Sequence, residues 1–177
     1  AGLLTRFHGG AGVAGSTVEN IAYQERKQQN QTAKLAIARK VAQAVPEGCS
    51  LILNIGTTTE AIALELMRHK GLRVITNNLN VAAILTDNRD CELIVAGGIV
   101  RAPDRGIVGD ATVDFMSQFK VDIAIIGISG IEADGTLRDY DYREVKVSRT
   151  IIEHARNVWL AADHSKFNRP AMVELGR

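Results

Sequence analysis

The sequence predicts an α/β fold: a mostly parallel sheet with helices on both faces. Short strands that are apolar throughout alternate along the chain with amphipathic helices. A strand without polar alternation is buried on both faces, as in a parallel sheet that helices cover. The chain has 177 residues, which is enough for one domain with a sizeable core.

The elements follow in a regular order after a Gly-, Ala- and Ser-rich stretch at residues 1–18, which we expect to be an irregular linker. Residues 19–177 form the predicted domain. Apolar residues at three- and four-residue spacing predict a first helix before Pro46: Leu35, Ala38, Val41, Ala42 and Val45. The predicted strands are 51–55, 72–76, 92–96, 121–127 and 158–162. The predicted helices between them are 59–68, 79–85, 110–119 and 141–155.

Composition excludes several classes of protein. With 21 basic and 20 acidic residues, the net charge of +1 is too balanced for a nucleic-acid-binding surface by itself. The sequence has no run of 18 apolar residues and no signal peptide, so we expect a cytoplasmic protein without a membrane segment. Cys49 and Cys91 lack C-x-x-C spacing and an accompanying histidine cluster, so we predict reduced thiols and no metal site.

The residues after each strand are the candidate site, because ligands of parallel sheets bind at the carboxyl ends of the strands. Gly56, Thr57, Thr58 and Thr59 follow the first strand. The glycine permits close backbone approach, and the start of the next helix favours an anion. One hydroxyl would suffice as a helix cap, so three predict a phosphate site. No Gly-Lys-Ser/Thr follows, which argues against an NTP.

The second and third strands end in weaker signals. Thr76, Asn77 and Asn78 can cap the next helix or bind sugar hydroxyls, and we expect at least one to contact the ligand. Gly97 and Gly98 either admit a ligand closely or form a simple turn. Shortly after them, Arg101 either pairs with a phosphate or lies in solvent.

The fourth strand is followed by small residues that leave space for a ligand: Gly127, Ser129 and Gly130. The acidic segment 132–142 comes next, and we expect most of its carboxylates to be solvated.

A lysine follows the fifth strand. Lys166, beside a phosphate loop from another strand, is suited to clamp a phosphate, and Asp163 could orient it. His164 has no visible partner, and we do not assign it as a catalytic base.

Together these motifs resemble the C-terminal sensor domain of DeoR-family transcriptional repressors over nearly the whole chain. Each motif is weak alone, and their order and spacing carry the resemblance. The matching pieces are Glu25-Arg26 with Lys34 and Ile37-Ala38, Gly56-Thr57-Thr58, Thr76-Asn77-Asn78, Ala96-Gly97-Gly98, Gly109-Asp110-Ala111, Gly127-Ile128-Ser129-Gly130-Ile131 and Asp163-His164-Ser165-Lys166-Phe167.

The resemblance implies a fold similar to ribose-5-phosphate isomerase and the coenzyme A transferases. It also implies a winged helix-turn-helix before Ala1, through which alone operator DNA is bound, and a homo-oligomer of sensor domains. A phosphorylated sugar or polyol would release the DNA, and the segments 76–82, 114–119 and 163–167 favour glycerol 3-phosphate. Family members continue past Arg177, so the last part of the fold is expected to be missing here.

In the resulting hypothesis, the phosphate docks on residues 56–59 with Lys166 as its counter-charge. Asn77, Asn78 and Ser129 read the hydroxyls, and Arg26 and Lys34 add positive charge from the pocket edge or a neighbouring subunit. The rival is a sugar-phosphate isomerase, which needs a positioned carboxylate. Isomerases of that type carry acidic residues where this chain has Ser129-Gly130, so we predict no enzyme, no catalytic residue and no cofactor. A bare interaction module does not explain polar residues at five strand ends.

Overall fold

The computed structural model describes residues 23–177 and two short strands before them, β1 (Leu4–Phe7) and β2 (Gly10–Val13). These strands pair antiparallel, with Phe7 opposite Gly10. The expectation of irregular structure is therefore wrong for these two segments, because backbone hydrogen bonds form a strand ladder without requiring apolar side chains. The rest of the predicted linker lies outside the described residues.

The remaining elements alternate much as the sequence predicts. They are α1 (Tyr23–Gln28), α2 (Gln31–Ala44), β3 (Ser50–Leu53), α3 (Thr57–Glu65), β4 (Leu72–Thr76), α4 (Leu79–Leu85), β5 (Cys91–Val95), β6 (Ile99–Arg101), β7 (Gly106–Val108), α5 (Asp110–Met116), β8 (Val121–Ile126), β9 (Gly130–Ile131), β10 (Leu137–Asp139), α6 (Tyr142–Glu153), β11 (Ala155–Leu160) and β12 (Val173–Gly176). A short 3-10 turn covers His164–Lys166.

The central sheet has five strands in the order β11-β8-β3-β4-β5, and every neighbouring pair is parallel. This confirms the predicted sheet. The chain builds outward from β3 through β4 to β5, then returns to the other side of β3 with β8 and β11. The order therefore reverses between β3 and β8, and a crevice at such a switch point is where α/β sheets bind ligands.

Hydrophobic clusters cover both faces of the sheet. Leu51 and Leu53 of β3 pack with Ile62 on the α2–α4 side. Ile52, between them in sequence, points to the opposite face and packs with Ile151 of α6. Successive side chains of a strand point to opposite faces, so one apolar strand serves both clusters. The predicted helices on both faces are thereby confirmed.

Two additions to the sheet are not predicted from the sequence. β6 and β7 form an antiparallel hairpin, and β12, β10 and β9 form a three-stranded sheet. The β6–β7 hairpin lies over the carboxyl edge of the central sheet, where the Ile107 amide donates to the Asn77 carbonyl oxygen at 2.7 Å. A side chain at Gly106 would approach Ile55 to 2.5 Å, so this close contact requires glycine.

No helix in the described part of the chain is long and apolar enough to span a bilayer. Both cysteines are free thiols, and burial raises the pKa of Cys49 to about 11.

Candidate functional site

A small cavity of about 30 Å³ lies at the switch point, between the carboxyl ends of β3 and β8. Its lining includes seven residues that the sequence singles out: Arg26, Gly56, Thr57, Thr58, Gly127, Ser129 and Lys166. The remainder of the lining is Ile55, Ile128, Asp139, Glu144 and Ala161. The space is narrow, so we expect a ligand the size of a polyol phosphate to displace part of the lining.

The loop between β3 and α3 uses its three threonines differently. The Thr59 hydroxyl is fully buried and lies 2.8 Å from the Asn54 carbonyl oxygen and 2.7 Å from that of Gly56. Thr59 therefore stabilises the turn. The hydroxyls of Thr57 and Thr58 have no hydrogen-bond partner among the described residues. They line the cavity beside the first turn of α3, whose amides point toward it.

Lys166 supplies a cation to the same cavity. Burial lowers the pKa of Lys166 to about 8, and repulsion from Arg169 adds to this shift. Its amine makes no hydrogen bond or ion pair within residues 23–177. Asp163 does not hold the lysine by contact, because its carboxylate accepts from the Ser165 amide at 2.8 Å and caps the 3-10 turn. An incoming anion would give the Lys166 charge the partner that it lacks.

The first two helices bring Arg26 and Lys34 toward the site. The Arg26 guanidinium lies 3.8 Å from the Asp104 carboxylate. Lys34 is only 6% exposed, and its amine donates to the Arg26 carbonyl oxygen. Burial lowers the pKa of Lys34. Both side chains are therefore largely buried, and only Arg26 of the two belongs to the lining of this cavity.

Thr76, Asn77 and Asn78 are fully buried and lie outside the cavity lining. Thr76 donates to the Leu53 carbonyl oxygen at 2.7 Å and so ties β4 to β3. The Asn78 side chain accepts from the Asn80 and Val81 amides and caps α4. The Asn77 amide group donates to the Ile107 carbonyl oxygen at 3.1 Å, which anchors the β6–β7 hairpin. In this conformation all three residues position backbone segments around the site.

Gly97, Gly98 and Gly130 also lie away from the cavity. The Gly97 carbonyl oxygen accepts from the Thr112 hydroxyl at 2.7 Å. A side chain at Gly98 would come within 2.1 Å of the same hydroxyl oxygen. At Gly130 it would come within 2.2 Å of the Arg169 carbonyl oxygen. Close packing of neighbouring segments explains Gly98 and Gly130, whereas nothing lies within 4 Å of a side chain added at Gly97.

Arg101 binds carboxylates of the protein itself. Its guanidinium contacts Asp104 at 2.6 Å, Asp141 at 3.1 Å and Glu144 at 2.9 Å. A fourth carboxylate, Asp139, lies nearby and accepts from the Ser129 hydroxyl at 2.8 Å. Burial and the proximity of Asp139 together raise the pKa of Glu144 to about 8. Burial also raises the pKa of Asp139.

These carboxylates beside the cavity are residues that sequence reasoning did not single out as part of the site. The prediction that the carboxylates of segment 132–142 are solvated is wrong for Asp139, which is 7% exposed. It is also wrong for Asp141, which caps α6 by accepting from the Arg143 amide. It holds for Asp134, which is exposed. An acidic residue just before a helix is a readable capping signal. Burial of Asp139 depends on its contact with Ser129 from another strand, and no local pattern announces that contact.

Comparison of the sequence with known proteins identifies its family. The sequence matches the DeoR C terminal sensor domain over residues 29–177. It is 51% identical over 174 residues to the glycerol-3-phosphate regulon repressor of Escherichia coli (strain K12), covering 98% of this chain and 69% of the relative. The repressor of the same name from Haemophilus influenzae is 52% identical over 174 residues, covering 98% of this chain and 68% of the relative.

The chain therefore belongs to the DeoR family of transcriptional repressors, and it is the sensor domain of such a repressor. It is a regulator rather than an enzyme. Ribose 5-phosphate isomerase A from Methanocaldococcus jannaschii shares its fold, with a TM-score of 0.58 and 16% sequence identity. That match covers 80% of this chain and spans 56% of the isomerase chain. The predicted likeness to ribose-5-phosphate isomerase is confirmed at the level of the fold.

Proposed function

We propose that this sensor domain binds a phosphorylated polyol or sugar, with glycerol 3-phosphate as the preferred effector, in the cavity between β3 and β8. Binding releases the full-length repressor from operator DNA. The name shared by the two relatives described above supports the choice of effector. Residue chemistry supports a phosphate independently of those names.

The observation that most strongly supports phosphate binding is that one cavity holds both a cation without a counter-charge and hydroxyl donors without a partner. Lys166 has no counter-charge in contact, and the hydroxyls of Thr57 and Thr58 have no partner within the described residues. The first-turn amides of α3 add donors and a partial positive charge. A phosphate dianion accepts from all of these groups, and charge-assisted hydrogen bonds are the strong ones.

Helix α1 is the element that we propose to transmit binding. It contributes Arg26 to the cavity lining, and its Tyr23 hydroxyl donates to the Glu60 carboxylate of α3 at 2.8 Å. A ligand that widens the cavity changes both contacts. DNA affinity changes only if the effector binds the DNA-bound and released states unequally, and movement of α1 would provide that difference.

The complete repressor is proposed to contact operator DNA through a winged helix-turn-helix that precedes the sensor. It is also proposed to be a homo-oligomer of sensor domains. The relatives are longer than this chain, which covers 69% and 68% of their lengths. Sedimentation of the full-length protein tests the oligomer, and operator binding titrated with glycerol 3-phosphate tests the release.

Calorimetric titration tests effector binding. The chain is titrated with glycerol 3-phosphate, glycerol, inorganic phosphate, fructose 6-phosphate and ribose 5-phosphate. We expect saturable binding that is tightest for glycerol 3-phosphate. Lys166→Met should weaken it about 10- to 100-fold, because one charge-assisted contact is lost. Lys40→Met is the matched control, since Lys40 is exposed on α2. Unchanged affinity in Lys166→Met, or equal binding of glycerol, would contradict the proposal.

A further inference from the structure

The cavity lining holds two kinds of polar group. Lys166, Thr57 and Thr58 supply the cation and donors already described. Asp139 and Ser129 add a carboxylate and a hydroxyl. A phosphate is repelled by a carboxylate, so this second set of groups suits a different part of the ligand.

Asp139 has an oxygen available for that part. Its Oδ1 accepts from the Ser129 hydroxyl and from the Tyr140 amide, both at 2.8 Å. No described residue donates to its Oδ2. The neighbouring Glu144 is engaged differently, since its carboxylate contacts the Arg101 guanidinium at 2.9 Å. Each of the two carboxylates in the lining has one oxygen without a described donor, and Asp139 is the one of the two that has no ion pair within the described residues.

We infer that Asp139 accepts a hydrogen bond from the ligand hydroxyl on the carbon next to the phosphate-bearing carbon. This contact makes the sensor select polyol phosphates over their ketone analogues, an inference that rests on the proposed function. The adjacent hydroxyl is favoured because Asp139, Lys166 and the two threonines line the same cavity, so a group that contacts Asp139 lies near the phosphate. Burial opposes the charged form of Asp139 and raises its pKa, while the charges of Arg101 and Arg26 favour that form. In the charged form, which the inference requires, the carboxylate only accepts hydrogen bonds. An alcohol donates to it, whereas a carbonyl oxygen at the same carbon cannot and is repelled.

Ser129 is a positioning residue for this recognition. Its hydroxyl donates to Oδ1 of Asp139 and so fixes the carboxylate, while Oδ2 keeps its acceptor capacity for a ligand. A polar group fixed in this way discriminates strongly, because a ligand that lacks the matching donor leaves the carboxylate buried and unpaired.

The test compares glycerol 3-phosphate with dihydroxyacetone phosphate, which carries a carbonyl at the adjacent carbon. Wild-type protein should prefer the alcohol by about 10-fold or more. In Asp139→Asn the oxygen that accepts from Ser129 and Tyr140 remains, while the amide can donate to a carbonyl. The preference should fall to about threefold or less, with inorganic phosphate bound at least as tightly as by wild type. Ser129→Ala should reduce the preference by a smaller factor.

Asp114→Asn is the matched control, because Asp114 is exposed on α5 and should leave the preference unchanged. Thermal unfolding of each variant checks that the fold is retained. Equal wild-type affinity for the two ligands overturns the inference, and so does an unchanged preference in both Asp139→Asn and Ser129→Ala. Absence of binding of every phosphate to the wild type is a different result, since it overturns the proposed function itself.

Discussion

The two edges of the central sheet carry charged residues in opposite ways. At the amino edge, a depression of about 710 Å³ is lined by polar side chains that include Arg73, Glu92 and Asp122. The Arg73–Glu92 pair there is 2.6 Å apart, with 65% and 58% of the two side chains exposed. At the carboxyl edge the cavity is only about 30 Å³. The Arg101–Asp104 pair beside it is also 2.6 Å apart, yet its side chains are 17% and 10% exposed.

Volume and the burial of charge therefore point to opposite edges of the sheet. Burying a charge costs free energy unless partners compensate, so a fold rarely retains several buried charges without a use for them. Water already solvates the charges of the amino edge. Strand direction also favours the carboxyl edge, since ligands of parallel sheets bind at the carboxyl ends of the strands.

The largest predicted contrast between the edges concerns their arginines. Arg101→Met should destabilise the fold by about 3–5 kcal/mol, because three carboxylates lose their buried partner. Arg73→Met removes an exposed pair and should cost less than about 1 kcal/mol. Urea unfolding of both variants at pH 7 measures the difference. Similar costs at the two edges would mean that the Arg101 network is not a buried one.

The glycines of the carboxyl edge give the next contrast. Gly130→Ala should destabilise by about 1–3 kcal/mol, since the new methyl meets the Arg169 carbonyl oxygen at 2.2 Å. At Gly97 nothing lies within 4 Å of an added methyl. Gly97→Ala should therefore be neutral or stabilising by about 0.4–1 kcal/mol. It should also leave effector affinity unchanged, and a loss of affinity would restore the sequence-based assignment of Gly97 to the site.

The pH dependence of effector binding is a smaller effect and belongs to the carboxyl edge alone. Because the pKa of Lys166 is about 8, affinity should fall about 10-fold per pH unit above pH 8. Below about pH 6 the phosphate loses its second charge, which also weakens binding. Calorimetry from pH 5.5 to 9.5 measures both limbs. Lys166→Met should abolish the fall above pH 8, and an equal fall in that variant would assign it to another group.

Lys166 also makes the stability of the ligand-free chain depend on pH. The pKa of Lys166 is about 8 in the folded chain, against an ordinary value of 10.5 when the side chain is solvated, so the unfolded chain holds more protons between these values. The destabilisation from burying the charged amine is therefore complete below pH 8 and is relieved as pH rises from 8 to 10.5. Urea unfolding across this range should show a rise in stability for the wild type that is smaller in Lys166→Met.

Most of the fold was predictable because periodicity reports burial directly. The strand Leu72–Thr76 and the helix Leu79–Leu85 have the predicted bounds. The hairpin β6–β7 was not predictable, because its strands have three residues each and are anchored by backbone contacts to Asn77 and Leu79. Three-residue strands carry too little alternation to be recognised.

Strand ends predicted which residues meet in one cavity better than they predicted what each residue does there. Gly56, Thr57, Thr58 and Lys166 do meet in one cavity. Asn78 looks the same in sequence but caps α4 instead. A polar residue at a strand end can serve the backbone or a ligand, and only its three-dimensional hydrogen bonds distinguish the two.

Backbone NMR of the chain titrated with glycerol 3-phosphate tests the central claim most directly, because it reports on both edges of the sheet in one experiment. If the effector binds at the carboxyl ends of β3 and β8, the largest amide shifts fall on residues 56–59, 127–129 and 164–166, with shifts along α1. The amides of residues 71–73 and 89–92, at the amino edge, then stay unchanged. Saturable shifts confined to the amino edge would contradict the assignment of the effector site to the carboxyl ends of β3 and β8.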